Sequence, residues 1–372
     1  MPDAAQPGDP LRVLLDGPNA AAFTGWTDLV LERQIDALSG GFKLSSPPVR
    51  PWPLTTGAPV RIELAGEVLL DGHVEELTAS SSRTGRAVEI KGRDKTGDMV
   101  DCAATNEPGE FKLRSLFEIA QQLAKPFGVK VESRHATEQG DDWLELIKPF
   151  EKFALRQGET AWSALERALR TRGFLGFTTG AGRIAIERPG PSRLEVALVE
   201  GENVLGVSLK DSTIDRFSTY TVRSQAQGSD QGWGTTVAEI QGTATDPNVT
   251  RFRPWLDFGE TALTFESATE RAAWEASVRA ARAKRVQVDV QGWRMGRGLG
   301  VWQPNRLVDV HASSIGLGPV EMLIARVSLR RGRQGEVASL ELRPAEAFRP
   351  APEVPVDESF DGSLDSPEWS EE

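Results

Sequence analysis

The sequence predicts a mainly β protein, in which two antiparallel β domains, the first reading as a small sandwich or barrel, flank a small α+β module. Three observations predict it. Hydrophobic residues alternate with period two across the first hundred positions. Helix signals take over between about 105 and 195. Alternation then returns, with one helix inserted. Period-two patterning between turns is the mark of antiparallel strands with one buried face.

The elements follow in order. Residues 1–10 are rich in Pro, Gly and Asp and are expected to be disordered. The first β domain is expected over 11–104. Val13 and Leu15 alternate before a turn at Asp16-Gly17, and Val60, Ile62 and Leu64 alternate with Arg61 and Glu63. After the turn Ala65-Gly66 come Val68, Leu70, Gly72 and Val74. Val88 and Ile90 follow a polar turn over 80–85.

The α+β module is expected over 105–195. Ser115 stands three residues before Glu118, a capping-box spacing, and Leu116, Ile119, Ala120 and Leu123 form one helical stripe that Pro126 ends. A strand is expected at 143–147, after a polar turn at Asp141-Asp142. A second helix runs from about Glu159 to Arg172, with Trp162, Leu165 and Leu169 on one face, Glu166 and Arg170 paired at i,i+4, and Gly173 as its C-cap. A hairpin follows, 174–178 and 184–187 around Gly180-Ala181-Gly182.

The second β domain is expected over 196–348. Leu205, Val207 and Leu209 alternate, and 217–222 is a strand holding the only tyrosine, Tyr220. A Gly/Ser/Gln-rich loop spans 224–235. Ser267 and Glu270 repeat the capping-box spacing before an Ala-rich helix ending near Ala283. Val286, Val288 and Val290 alternate strictly, and 306–311, 320–330 and 336–343 read as strands. Residues 349–372 are Pro-rich, then acidic without an apolar stripe, and are expected to be a disordered tail. No internal repeat is readable in the residues.

Composition narrows the function. The 372 residues carry 43 Lys and Arg against 54 Asp and Glu, a formal net charge of -11, which argues against a nucleic-acid binder held by basic surface. The arginines at 330, 331 and 333, and the cluster Arg279, Arg282, Lys284 and Arg285, read as a solvated strand end and a solvated helix end. A single cysteine, Cys102, forms no internal disulfide, which fits assembly in a reducing cytoplasm, and beside Val100 and Ala103 it reads as a small buried residue. No cationic start with an apolar segment marks a signal peptide, and no apolar run approaches the ~20 residues that span a bilayer, so membrane insertion is not expected.

No constellation for catalysis, cofactor or metal stands out. His73, His135 and His311 lack metal-ligand spacing. Gly292, Gly296, Gly298 and Gly300 precede Val301-Trp302-Gln303-Pro304, which reads as a hairpin loop rather than a phosphate cradle. The enzyme reading with most substance is a cell-wall glycosidase using two carboxylates, with Asp141, Asp142 and Glu159 as candidates. The structural reading is favoured: among 54 acidic residues nearby pairs arise by chance, Asp141 and Asp142 fit a polar turn, and Glu159 fits a first-turn helix acid. The ten tryptophans, Trp26 and Trp293 among them, are expected to pack in cores or interfaces rather than stack on sugars.

Several segments together resemble one family. Ala22-Phe23-Thr24-Gly25-Trp26, then 30–35 and Gly40-Gly41-Phe42-Lys43-Leu44, look like the opening of Mu-type baseplate hub proteins of contractile phage tails. Gly92, Arg93, Asp94, Lys95, Thr96, Gly97, Asp98, Met99, Val100, Asp101 and Cys102 look like that family's GRxKTxDLVDC signature, with Gly97 and Met99 as mild departures. Segments 115–129, 158–173, 215–220 and 342–348 resemble later family segments in order.

The resemblance implies a structural protein without catalytic residues or cofactor. It implies two barrel-like tube domains flanking the α+β module, which would lie outside the tube. It implies a homotrimer of pseudo-sixfold symmetry, adapting the sixfold tail tube to the threefold central spike. The partners are then the spike, the tube or its adaptor, and other baseplate proteins, with DNA passing through the lumen unbound. The place is the virion's tail baseplate, assembled in the host cytoplasm. The T4 hub and the hub portion of type VI secretion spikes are similar in fold. The signature residues read as structural: Gly25 and Gly92 as tight strand ends, Lys95 and Asp98 as a loop ion pair.

Overall fold

A computed structural model describes residues 10–15, 22–23, 26–47, 55–83, 85–138, 140–225, 239–258, 263–296, 298–333 and 335–352. The expected disorder of both termini, the Asp16-Gly17 turn and the 224–235 loop lie wholly or mostly outside these residues. The chain divides into two compact units, one within Met1–Asp215 and Val278–Pro350, the other within Arg216–Ser277.

The first unit opens with six strands, β1 (Leu11–Leu15), β2 (Asp28–Gln34), β3 (Gly41–Ser46), β4 (Pro59–Leu64), β5 (Glu67–Ser82) and β6 (Gly85–Asp94). The alternation marks β1, β4, β5 and β6, where Val13, Val60, Ile62, Leu64, Val88 and Ile90 are all buried, but it does not mark β2 and β3. The two-residue turn between β4 and β5 has Ala65 at φ 50 and Gly66 at φ 85, the positive angles that a tight hairpin of right-handed twist requires.

The module follows as α1 (Gly97–Asp101), β7 (Glu110–Ser115), α2 (Leu116–Ala124), β8 (Lys130–Glu132), α3 (His135–Glu138), α4 (Asp141–Ile147), β9 (Pro149–Ala154), α5 (Ala161–Thr171), β10 (Leu175–Thr178) and β11 (Arg183–Glu187). Ser115 and Glu118 form the expected capping box, and Leu116, Ile119, Ala120 and Leu123 are buried. Gly173 ends α5 at φ 68, and Glu166 pairs with Arg170 at 2.7 Å. One expectation fails: 143–147 is helical, not a strand. Asp141 and Asp142 form the first turn of α4, where carboxylates favour the helix dipole, and Leu146 is buried one turn on.

The chain then resumes strands with β12 (Leu198–Val199) and β13 (Val204–Asp211). After the second unit it returns through β17 (Lys284–Gln291), β18 (Leu307–Ala312), β19 (Leu317–Gly332) and β20 (Gly335–Arg343). All twelve outer strands join one sheet. Its path runs β1-β4-β5-β6-β3-β2-β19-β20-β17-β13, with β18 on β19 and β12 on β18.

That path contains the same arrangement twice. The first half reads β1-β4-β5-β6-β3-β2; the second reads β12-β18-β19-β20-β17-β13, with strands in the same chain order. β5 and β19 are both 16 residues long. Counting Glu67 and Leu317 as first, both carry a bulge between their eighth and tenth residues, Val74/Glu76 and Ile324/Arg326. The copies meet where β2 pairs antiparallel with the far half of β19, and one hydrophobic core runs through both. The first pair is antiparallel in copy one (β1·β4) and parallel in copy two (β12·β18).

The second unit holds β14 (Thr219–Gln225), β15 (Glu239–Thr245) and β16 (Pro254–Phe258), with α6 (Phe265–Ala283) leading from it into β17. Tyr220 and Val222 pack on Leu263, Ala268 and Ala272. Gly242 lies against the helix, where a Cβ would sit 2.1 Å from the backbone of Ala268. The helix ends at Ala283 as expected, but Ser267 is not its cap. Thr264 Oγ1 accepts from Ser267 N at 3.1 Å, and Thr264 N donates to Ser267 Oγ at 2.9 Å. Arg216 and Asp246 form a buried two-pronged ion pair at 2.8 and 2.9 Å, which holds the Asp246 carboxyl below the usual range.

Candidate functional site

The signature segment lies where β6 leaves the sheet for the module. Gly92 is there because two strands pass too closely for a side chain: a Cβ would sit 1.9 Å from His73 O. Gly72 faces the same constraint from Arg93 O at 2.0 Å.

Asp94 is the centre of the segment. Its carboxylate is buried and accepts from Thr96 N at 3.0 Å, Gly40 N at 3.3 Å, Ser39 Oγ at 3.4 Å, and the hydroxyls of Thr96 and Thr178. One carboxylate thus ties the β2–β3 connection, its own turn and β10 of the module. Burial raises the Asp94 pKa; the hydrogen bonds from Thr178, Thr96 and Gly40 oppose that rise without cancelling it.

Lys95 corrects the expected loop ion pair. Its ammonium meets Asp71 of β5 at 2.7 Å, while Asp98 is exposed in the first turn of α1. Lys95 N also donates to Asp71 O at 3.0 Å, and Asp71 N donates to Gly180 O at 2.8 Å. Gly180, at φ 86, would place a Cβ 2.1 Å from Leu69 O and 2.7 Å from Arg33 Nε. The buried Arg33 guanidinium donates to Leu69 O, and burial lowers its pKa to about 10 against the pull of Asp94 and Glu67.

The other signature residues divide by side. Thr96 and Met99 are buried, and Val100 packs on the module's core. Arg93 turns outward to Glu75 at 2.8 Å and to Asp101, whose carboxyl it holds below its ordinary range. Cys102 is exposed, not buried as its neighbours implied: it sits just past α1, where its backbone closes the helix on Asp98 O at 2.9 Å. Trp26 packs half-buried against the main core. Gly25 lies outside the described residues.

A second tie, which sequence reasoning missed, joins the module to copy two. Asn305 is fully buried at φ 62. Its amide donates to Glu187 Oε2 at 3.1 Å and Arg188 O at 2.9 Å, and its oxygen accepts from Gly190 N at 2.9 Å. Arg306 adds an ion pair to Glu187 at 2.9 Å. The available signal was the Pro304-Asn305 pair, since Asn enters the left-handed region more readily than most residues. Around the joint between the copies, Ile35, Leu323 and Ala325 pack with Phe177 and Ala185 of the module's hairpin.

Two of the three glycosidase candidates are held in ion pairs, while Asp141 lies in the first turn of α4. Asp142 pairs with Arg188 at 2.9 Å. Burial pushes the Glu159 carboxyl up, but Arg167 at 2.9 Å and Arg156 N at 3.0 Å outweigh it and keep it ionised below the usual range. An ionised Glu159 is not the protonated acid that such an enzyme needs. Among the described residues no group of His, Cys, Asp and Glu is arranged to hold a metal ion. Trp293 and Trp302 lie in the core, the former donating to Arg330 O at 2.9 Å. The glycine cluster forms the expected hairpin loop, with Met295 N on Gly300 O at 3.0 Å. No helix among the described residues is long and apolar enough to cross a membrane.

Residues 10–94 match the model for the N-terminal domain of Mu phage baseplate assembly protein GpP-like chains. Residues 96–188 match the second domain of baseplate hub protein gp44-like chains, and 264–351 the fourth domain of Mu phage baseplate assembly protein GpP. The baseplate hub protein gp44 of Escherichia phage Mu is 33% identical over 334 residues, covering 88% of this chain and 86% of that one. The 43 kDa tail protein of prophage MuSo2 from Shewanella oneidensis superposes with a TM-score of 0.79 at 26% identity, over 93% of this chain and all of that one. A tail protein from Neisseria meningitidis MC58 shares the fold, with a TM-score of 0.70 at 18% identity over 91% and 98% of the two chains.

Proposed function

The chain belongs to the family of Mu-type baseplate hub proteins, and from that premise we propose that three copies close into a ring on the tail axis, adapting a sixfold tube to a threefold spike. The observation that carries this reading is the doubled six-stranded arrangement within one sheet. A ring of three such chains presents six similar β segments to the tube, while the chain itself repeats three times for the spike. Each copy forms one barrel-like tube domain. The module, tied to copy one through Asp94 and to copy two through Asn305, fixes the two segments from outside the ring.

The ring is a passage and not a catalyst. Two of the candidate carboxylates, Asp142 and Glu159, are paired with arginines, and the chain's charge of -11 gives a lumen that repels DNA phosphates if the acidic excess faces inward. Its partners are the spike, the tube or tube-adaptor protein and the neighbouring baseplate proteins, and it is synthesised and assembled in the host cytoplasm.

The test is the mass in solution of the purified chain, alone and mixed with its spike protein. Three chains, or three with three spike chains, are expected. A single chain that stays single with spike, tube and baseplate neighbours contradicts the ring. Clearing of peptidoglycan by the chain would return it to the cell-wall hydrolase reading.

A further inference from the structure

The joint inside the chain is a template for a joint between chains. At the internal joint, Val327, Leu329 and Arg331 of β19 stand opposite Arg33, Leu31 and Leu29 of β2. The doubled topology places equivalent strands at two edges: β5, the equivalent of β19, and β13, the equivalent of β2. Beyond Val74, β5 pairs with β6 on one side, and β13 pairs with β17 on one side; no strand among the described residues covers their other edges. We propose that β13 of one copy of the chain adds antiparallel to the far half of β5 in the next copy.

The internal joint also fixes the register. Leu31 stands opposite Phe42, which faces Gly92, which faces Val74. Leu209 stands opposite Val286, which faces Leu342, which faces Ile324. Leu31 and Leu209 are therefore equivalent, as are Val74 and Ile324. Carrying the β2·β19 register across sets Ala79 opposite Leu209, Ser80 opposite Ser208, and Ser81 opposite Val207. A slip by one residue would turn every side chain to the wrong face.

Burial supports this pairing. At the internal joint Leu29, Leu31, Val327 and Leu329 are at most 2% exposed. At the free edges Leu77, Val207 and Leu209 pack only partly on the core, and Leu205 is 58% exposed. Uncovered strand edges with apolar side chains are templates for pairing with another chain. Head-to-tail addition that closes on itself gives a ring.

This inference rests on the ring reading, and the experiment separates the two. In a Cys102→Ser background, full-length Ser80→Cys and Ser208→Cys chains are mixed with the spike protein and oxidised. Directly opposed residues lie ~4.5–5.5 Å apart at Cα, within disulfide reach. The control pairs Ser80→Cys with Lys210→Cys, two residues out of register and ~7–8 Å away. A covalent dimer in the first mixture, absent from the control and from either single variant, is the expected result. A three-chain mass without that dimer, or with the control linking equally well, overturns the edge pairing and leaves the ring. A single-chain mass with no dimer overturns both.

Discussion

The two copies of the six-stranded arrangement share strand order, the length of their longest strand and its bulge position, yet differ at the crossing beneath the long hairpin. Copy one has Gly72 and Gly92 there, where any Cβ would collide with backbone; copy two has Met322 and Leu342, both buried. Glycine lets the strands of copy one close tightly and leaves β6 free to run into the signature turn. Copy two fills the same place with side chains and ends in a short 3-10 turn at Ala345–Phe348. An arginine follows in both, Arg93 and Arg343, each paired with a glutamate. One topology thus tolerates two solutions to the same packing problem, and the difference decides which copy carries the signature.

Substitutions at the crossing test the two packing solutions directly. Leu342→Ala removes a fully buried side chain from copy two and is expected to cost about 2–5 kcal/mol in chemical denaturation. Gly92→Ala, its counterpart, forces a backbone shift and is expected to cost about 1–3 kcal/mol. A neutral Gly92→Ala would mean that copy one is not closed by glycine.

Asp94 sharpens the comparison by pH, because copy two has Pro344 in its place. Burial raises the folded-state pKa of Asp94, so between the ordinary aspartate value and the raised one the folded chain holds a proton that the unfolded chain has lost. Its contribution is fully present below the unfolded pKa and is lost as pH rises through the folded one. Asp94→Asn is expected to flatten that part of the denaturation-midpoint profile. An unchanged slope would show that the five hydrogen bonds fully cancel the effect of burial.

Arg93→Ala is expected to change folding stability least, by about 0–1 kcal/mol, since its ion pairs with Glu75 and Asp101 lie at the surface. A loss of several kcal/mol in thermal or chemical denaturation would move Arg93 from the surface into the framework of copy one.

Much of the local structure was legible in the sequence. Ser115 and Glu118, Gly173, the 180–182 hairpin turn and the Val286, Val288 and Val290 alternation each act within a few residues of themselves. What could not be read is non-local. The doubling is hidden because equivalent positions carry different residues, Gly92 against Leu342 and Asp94 against Pro344. Lys95 reaches Asp71 across the sheet instead of Asp98 nearby, and the exposure of Cys102 follows from where α1 stops. The 143–147 segment misled because Trp143, Leu144 and Leu146 fit both periods in so short a run, and the first-turn acids decided for helix. In the signature, Asp94 was read only as part of a motif; its role as a three-way tie needed Thr178 and Gly40 in place.

The most direct test is electron cryo-microscopy of the hub bound to its spike. Three chains closing a ring of six similar β segments around the axis are expected, with internal joints of β2 on β19 alternating with joints of β13 on the next chain's β5. A map with a single chain on the axis, or with the two copies of each chain lying outside a common ring, would contradict that arrangement.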